Sequence, residues 1–227
     1  HGPFRVDPEW AEPYLKEGVN NPNFFGMIAN FDHNLGLLRQ RLKELGISNN
    51  TIFLFLTDNG TAAGCQFEDL DSEPILGFNA GMRGKKSSIF DGGHRVPLFV
   101  HWPQGGLLGG RDIQNLTAHI DLLPTLAELC GLPVPNETYE VDGKSLVPLL
   151  QGENESWERS HHFIQYHGGR GNSDPLARMV NSVVLTEKWR LLRNPHAPEL
   201  YDIEADPAQR KTLASRFPRI VEELENA

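Results

Sequence analysis

No apolar run in this chain approaches the roughly 18 residues that a membrane-spanning helix needs, so the sequence predicts no helical membrane span. Cysteine is scarce: Cys65 and Cys130 are the only two in 227 residues. Two are too few to report a redox compartment, and nothing in their spacing pairs them. Both are expected as free, mostly buried thiols. Basic residues are outnumbered, 21 Lys and Arg against 30 Asp and Glu, for a net charge of −9. That balance argues against a nucleic-acid partner, whose phosphates demand the opposite sign. There is no internal repeat, no low-complexity tract and no visible signal peptide. What remains is a chain with 39% hydrophobic residues, long enough for one ordinary domain and a small second one.

Periodicity supplies the first elements. Apolar residues at Ile28, Phe31, Leu35, Leu38, Leu42 and Leu45 alternate steps of three and four, which predicts a helix over 24–45 ended by Gly46. Thr51–Leu56 is apolar without alternation, as in a strand buried on both faces of a parallel sheet. A helix followed by such a strand is a unit of a layered α/β fold. A strand is predicted at 96–102. A helix is predicted from Asp121 to Cys130, with Asp121 as its cap and Pro124 in its first turn. Beyond Pro135 the texture changes. Strand-like runs at 161–166, 180–186 and 188–193 precede a helical stretch over 207–226, which Pro218 divides. These runs predict a small antiparallel sheet with a helix, and a boundary between domains 1–135 and 136–227.

The strand over 51–56 ends in Asp58-Asn59-Gly60. In open α/β sheets, ligands sit beyond the carboxyl ends of strands. A carboxylate beside an amide carbonyl offers hard oxygen donors for Ca²⁺ or Mg²⁺. Asn-Gly is also a hairpin signal, but 61–81 is Gly- and acid-rich and predicts no following strand. A second block, Met82–Pro103, holds Arg83-Gly84-Lys85-Lys86, then Asp91-Gly92-Gly93-His94-Arg95-Val96-Pro97, then Trp102-Pro103. Arg83, Lys85, Lys86 and Arg95 place four cations within thirteen residues of an otherwise acidic chain. Such a cluster can focus a small anion.

In order and spacing, these blocks resemble the sulfatase family of the alkaline-phosphatase superfamily. That family shows S-D-N-G, then R-G-x-K-x-x-x-x-E-G-G-x-R-x-P, then a strand ending in W-P. Thr57 stands for the usual Ser and Asp91 for the usual Glu. His1-Gly-Pro, His119-Ile-Asp121-Leu-Leu-Pro124-Thr125, Asp142-Gly-Lys-Ser-Leu146, and Glu199-Leu-Tyr-Asp202 with Asp206-Pro are similar to further family landmarks. The resemblance implies an alkaline-phosphatase-like layered sheet with flanking helices, present in part, followed by the small C-terminal subdomain.

It also implies a chemistry. Asp58 and Asn59 would be metal ligands for Ca²⁺, with Mg²⁺ as the alternative. Lys86, rather than Lys85, falls at the sulfate-contacting position, counting back from Gly92-Gly93. His1 matches the histidine that meets the ester's bridging oxygen. His94 neighbours the motif and is read either as lining a substrate subsite or as an exposed loop histidine. The family's nucleophile motif, C/S-x-P-x-R, whose Cys or Ser becomes formylglycine, is absent, as is its N-terminal Asp-Asp pair. The chain thus reads as the C-terminal half of a longer sulfatase. The formylglycine is expected in a missing N-terminal half, which would be this chain's first partner. Its substrate would be a small-molecule or glycan sulfate ester, and its location periplasmic, extracellular or lysosomal. Two other readings stand beside it: a non-catalytic binder of sulfated glycans, and a phosphatase or phosphodiesterase of the same superfamily. Five Asn-x-Ser/Thr sequons, at Asn49, Asn59, Asn115, Asn136 and Asn154, matter only in a eukaryotic secretory protein.

Overall fold

The computed structural model describes residues 2–67, 74–133, 141–153, 157–166, 181–193 and 196–227. His1 and the expected boundary at 135/136 lie outside the described residues.

The N-terminal portion opens with two helices packed together, α1 (Pro8–Lys16) and α2 (Pro22–Glu44). Gly26 of α2 sits against the Trp10 carbonyl and the Ala11 amide, where a Cβ would meet backbone atoms at a tight 3.0 Å. The sequence reading missed α1. It found α2 from its periodicity, and Gly46 ends it with a φ of 71° and its amide on the Lys43 carbonyl at 3.0 Å. The apolar stripe of α2 meets the next strand only in part: the Phe31 and Phe55 rings are 6.0 Å apart.

That strand, β1 (Phe53–Leu56), pairs antiparallel with β4 (Leu98–His101). The expectation of a strand buried in a parallel sheet is corrected here. An all-apolar run reports burial potential but not the direction of its partner. Among the described residues β1 has one neighbour, and Leu56 is exposed. Between them, β2 (Cys65–Phe67) and β3 (Pro74–Gly77) pair with each other. The stretch 61–81 therefore does hold strands, although none of them pairs with β1. A four-residue helix, α3 (Asp91–His94), leads into β4.

Next come α4 (Leu122–Leu129) and α5 (Val147–Gln151). Asp121 does not cap α4 as expected. Its carboxylate turns back to accept from the Ala118 amide at 2.7 Å and the Lys144 amide at 2.9 Å, and from Arg159. Cys65 is buried, but Cys130, just past α4, is exposed, against the expectation for both thiols.

The C-terminal portion is a four-stranded antiparallel sheet in the order β5 (His162–Gln165), β6 (Ser182–Leu185), β7 (Trp189–Arg193), β8 (Glu199–Asp202). The alternation of its strands splits the sheet's residues between two cores. One face holds Val184, Leu191 and Leu200 against Val221 and Leu224 of α6 (Pro218–Glu225). Helix α6 is shorter than the predicted 207–226. Pro218 starts it rather than dividing it, as suits a residue with no amide to give. The other face holds Val183, Leu185, Leu192 and Tyr201 against Ile89 and Phe90, the residues just before α3. This second core seats the Met82–Arg95 segment on the C-terminal sheet.

Candidate active site

Asp58 and Asn59 follow β1 where its path leaves strand geometry. Glycine makes the next step feasible. A Cβ on Gly60 would lie 1.8 Å from the Gly92 carbonyl oxygen. Without one, the Gly60 amide reaches the Gly93 carbonyl at 3.0 Å. Gly92 and Gly93 are equally confined: a Cβ would stand 2.2 Å from the Gly84 oxygen or 2.3 Å from the Ser88 oxygen. Three backbone segments therefore stack with no side chains between them. The Gly92 amide donates to the Arg83 carbonyl at 2.8 Å, and the Lys86 amide to the Thr61 carbonyl at 2.9 Å. In this way the fold brings the loop of Asp58 and Asn59 beside the loop of Lys86.

Both loops leave polar groups unused among the described residues. Asp58 is exposed, and its carboxylate has no hydrogen bond or ion pair among the described residues. Asn59 commits its Nδ2 to the Gly60 carbonyl at 3.1 Å, not its Oδ1. The Lys86 ammonium likewise has no partner among the described residues.

The other members of the predicted cationic cluster are engaged elsewhere. Arg83 lies over the Phe90 ring at 3.9 Å and donates to Tyr201 Oη at 3.0 Å and the Gln209 carbonyl at 3.2 Å. It is also 3.4 Å from Glu199. Tyr201 in turn donates to Glu199, and burial first, then that hydrogen bond, pushes its hydroxyl far above the ordinary phenol range. Lys85 lines a small separate cavity with Cys65, Asn20 and Asn21. Arg95 stands 3.8 Å from Asp91.

A cleft of about 2240 Å³ opens beside Thr57 and Asp58 and runs past His94 and Arg95 to His119 and His162. His94 Nε2 lies 3.1 Å from the Ile89 carbonyl, an oxygen that can only accept, so Nε2 carries the proton. Burial holds its imidazole below the ordinary value, with Asp91 pulling the other way. His94 thus lines the cleft as a neutral imidazole whose Nδ1 is an acceptor, rather than as a cation. His162, on the edge strand β5, is also held low, by burial and then by Arg159. Among the described residues no three His, Cys, Asp or Glu side chains form a metal cluster. Asp58 and Asn59 are thus without a cluster of His, Cys, Asp or Glu around them among the described residues.

Sequence reasoning missed the residues behind this site. Asp91 is fully buried, and Arg190 of β7 donates to it through Nε at 3.2 Å. The Asp91 amide donates to Gln209 Oε1 at 2.9 Å. Both partners lie about a hundred residues further along, and no local pattern marks them.

Residues 1–132 match the profile of the sulfatase family, and residues 83–226 that of the C-terminal region of N-sulphoglucosamine sulphohydrolase. The chain belongs to the sulfatase family. It is 27% identical over 225 residues to N-acetylgalactosamine-6-O-sulfatase of Bacteroides thetaiotaomicron, covering 91% of this chain and 43% of that protein. It is 32% identical over 142 residues to human steryl-sulfatase, covering 62% of this chain and 23% of that protein. The solved phosphonate monoester hydrolase of Agrobacterium radiobacter superposes with a TM-score of 0.64 at 26% identity, over 90% of this chain and 39% of that one. This sulfatase chain spans less than half the length of these relatives, and its mixed α/β fold is alkaline-phosphatase-like. No helix among its described residues is long and apolar enough to cross a membrane.

Proposed function

We propose that the protein is a sulfuric ester hydrolase, and that this chain supplies the cation-binding and charge-stabilising part of its site. The observation that carries the reading is the pair of unpartnered groups, the Asp58 carboxylate and the Lys86 ammonium. They lie on two loops locked together through the Gly60 and Lys86 amides. An acid and a base that are both unpaired among the described residues, on loops held side by side, suit ligands of both signs: a divalent cation and a sulfate.

Asp58 and the Oδ1 of Asn59 would hold Ca²⁺, with Mg²⁺ as the alternative. The donor chemistry fits a hard cation, though Ca²⁺ takes six to eight oxygens and this chain contributes two. When bound, the ion polarises a sulfuryl oxygen as a Lewis acid. Lys86 places a fixed positive charge where charge grows on the departing sulfuryl group. His94 offers an acceptor to a hydroxyl of the leaving alcohol. His1, expected to meet the bridging oxygen, lies outside the described residues, and its role stays part of the proposal. Neither Cys65 nor Cys130 sits in a C-x-P-x-R setting, so the formylglycine nucleophile would come from sequence outside this chain. That sequence, the other half of the catalytic unit, would be the chain's partner. The family's secreted, periplasmic or lysosomal settings suit an enzyme of extracellular sulfate esters.

The test uses the protein as its gene encodes it, with 4-nitrophenyl sulfate and Ca²⁺. Lys86→Ala should lower kcat by about 10²–10³-fold, the scale of losing one stabilising group. Lys85→Ala should change it little, because Lys85 faces the Cys65 side. Likeness to the phosphonate monoester hydrolase favours a second reading. Faster turnover of a phosphonate ester than of the sulfate would establish that reading and end this one. Binding of a sulfated glycan without turnover would point to the non-catalytic reading.

A further inference from the structure

We propose that Arg190 is a positioning residue for this site, holding the Asp91–Gly93 turn against the Asp58–Gly60 loop from the C-terminal sheet. The inference rests on the sulfatase reading for what is positioned, but its geometry stands apart from that reading.

Arg190 is itself anchored. Its Nη1 donates to the Thr186 carbonyl, in the β6–β7 turn, and to that of Trp189, at the start of β7. The guanidinium is therefore a rigid extension of the sheet. From there Nε reaches Asp91 Oδ1 at 3.2 Å. Gln209 holds the backbone of the same residue, accepting from the Asp91 amide. Asp91 is thus fixed at side chain and main chain by two residues of the C-terminal portion.

The two residues after Asp91 are held through their backbone alone. Gly92 and Gly93 lack side chains, and each must lack one because backbone oxygens fill the space. Their position decides two others. The Gly93 carbonyl receives the Gly60 amide, next to Asn59. The Gly92 amide donates to the Arg83 carbonyl, in the loop that continues to Lys86. A displacement of Asp91 would therefore move the proposed metal ligands and the proposed sulfate-binding lysine relative to each other. Among the described residues, His94 at 4.0 Å and Arg95 at 3.8 Å are the other cationic or titratable groups near this carboxylate, and neither is within hydrogen-bond reach. They cannot replace Arg190.

A buried ion pair is weak grounds for stability, since apolar residues of similar volume often serve as well. A directional bond to a turn built of glycines is a geometric device instead. Rigid placement matters because a misplacement of about 1 Å can cost roughly 10²-fold in rate.

The test compares Arg190→Met, Arg190→Lys and the double variant Arg190→Met/Asp91→Asn in the protein as its gene encodes it. Melting temperature, kcat and KM for 4-nitrophenyl sulfate with Ca²⁺, and amide exchange at Gly60 are measured. Arg190→Met leaves a buried carboxylate alone and should lose stability. The double variant removes that orphan charge and should regain melting temperature. Its kcat should stay about 10- to 10²-fold low, its KM nearly unchanged, and its Gly60 amide exposed to exchange. Arg190→Lys should restore part of kcat. A double variant that recovers kcat together with melting temperature overturns the proposal. If the double variant does not fold, Arg190→Lys decides: reduced kcat at an unchanged melting temperature supports positioning, and unchanged kcat overturns it. If the wild type turns over no sulfate ester, the sulfatase reading falls. Gly60 exchange in the double variant then decides positioning alone, a protected amide overturning it.

Discussion

Gly60 and Gly92 approach so closely that a methyl group on the first would overlap the carbonyl oxygen of the second, at 1.8 Å. The backbone of Gly60 is not in the left-handed region, so the requirement for glycine is contact rather than strain. Gly60→Ala must push the Asp91–Gly93 turn away, and the Gly60–Gly93 hydrogen bond goes with it. Overpacking of this kind costs roughly 1–3 kcal/mol. Gly36, on α2, has nothing within 4 Å of the corresponding position. Gly36→Ala should therefore stabilise by about 0.5–1 kcal/mol through helix propensity alone. Urea titrations of both variants check the pair of opposite signs. A neutral Gly60→Ala would mean that the turn is not confined.

How much of this was readable from sequence depends on the range of the interaction. The Asp58-Asn59-Gly60 and Asp91-Gly92-Gly93 motifs stood out because their spacing is local, and α2 because its period is regular. The pairing of β1 with β4 did not, since Thr51–Leu56 has no alternation from which a register could be read. The cationic cluster was half misleading. Arg83 and Arg95 are near Lys86 in sequence, but in space they serve Tyr201, Gln209 and Asp91. Arg190 and Arg159 were invisible, because nothing in Thr186–Arg193 or Trp157–Ser160 signals a carboxylate a long way back in the chain. Strand β8 was noticed as a landmark but not as a strand.

Asp121 and Arg159 form the second buried pair, both nearly inaccessible. Asp121 also receives the Ala118 and Lys144 amides, so it ties the entry of α4 to the segment before α5. Arg159→Met would leave that carboxylate without its cation, and breaking a buried pair costs about 3–5 kcal/mol. Adding Asp121→Asn should return part of the loss by removing the orphan charge, but only part, because the Ala118 and Lys144 amides donate to different carboxylate oxygens and an amide offers one. The denaturant midpoints of the single and double variants measure this. A loss below about 1 kcal/mol for Arg159→Met would show that the pair behaves as a surface bridge.

The histidines make stability depend on mild acidity. An unfolded imidazole titrates near 6.5, whereas burial holds His94 and His162 below that. Below about pH 6.5 the unfolded chain binds more protons than the fold, so stability drops as pH falls through that window. Asp91 opposes the effect at His94, while Arg190 and Arg95 reinforce it. At His162, Asp121 opposes it while Arg159, His119 and His94 reinforce it. The variant His94→Gln/His162→Gln should lose less melting temperature than the wild type between about pH 7.5 and about pH 5.5. Parallel curves would place the acid sensitivity in other groups.

The last prediction concerns the 227-residue chain by itself. Ile28, Phe31, Leu38 and Leu45 are each half exposed or more, and so is Phe99. The Phe31, Phe55 and Phe99 rings form a continuous row at spacings of 6.0 and 5.9 Å. This row crosses β1 and β4, a two-stranded pair of the kind that is marginal in water without a further covering layer. An apolar surface of this kind beside open strand edges promotes self-association. The purified chain should elute as an oligomer or aggregate, and it should bind a hydrophobic dye. Phe31→Lys/Phe99→Lys should reduce both effects without disturbing the distant β5–β8 core. The chain should also bind Ca²⁺ weakly, since Asp58 and Asn59 are two donors where six to eight are wanted. It should be inert toward 4-nitrophenyl sulfate, because neither of its cysteines has the nucleophile's setting. A soluble, dye-silent monomer would show that this face needs no cover, and measurable turnover would place the nucleophile within these residues.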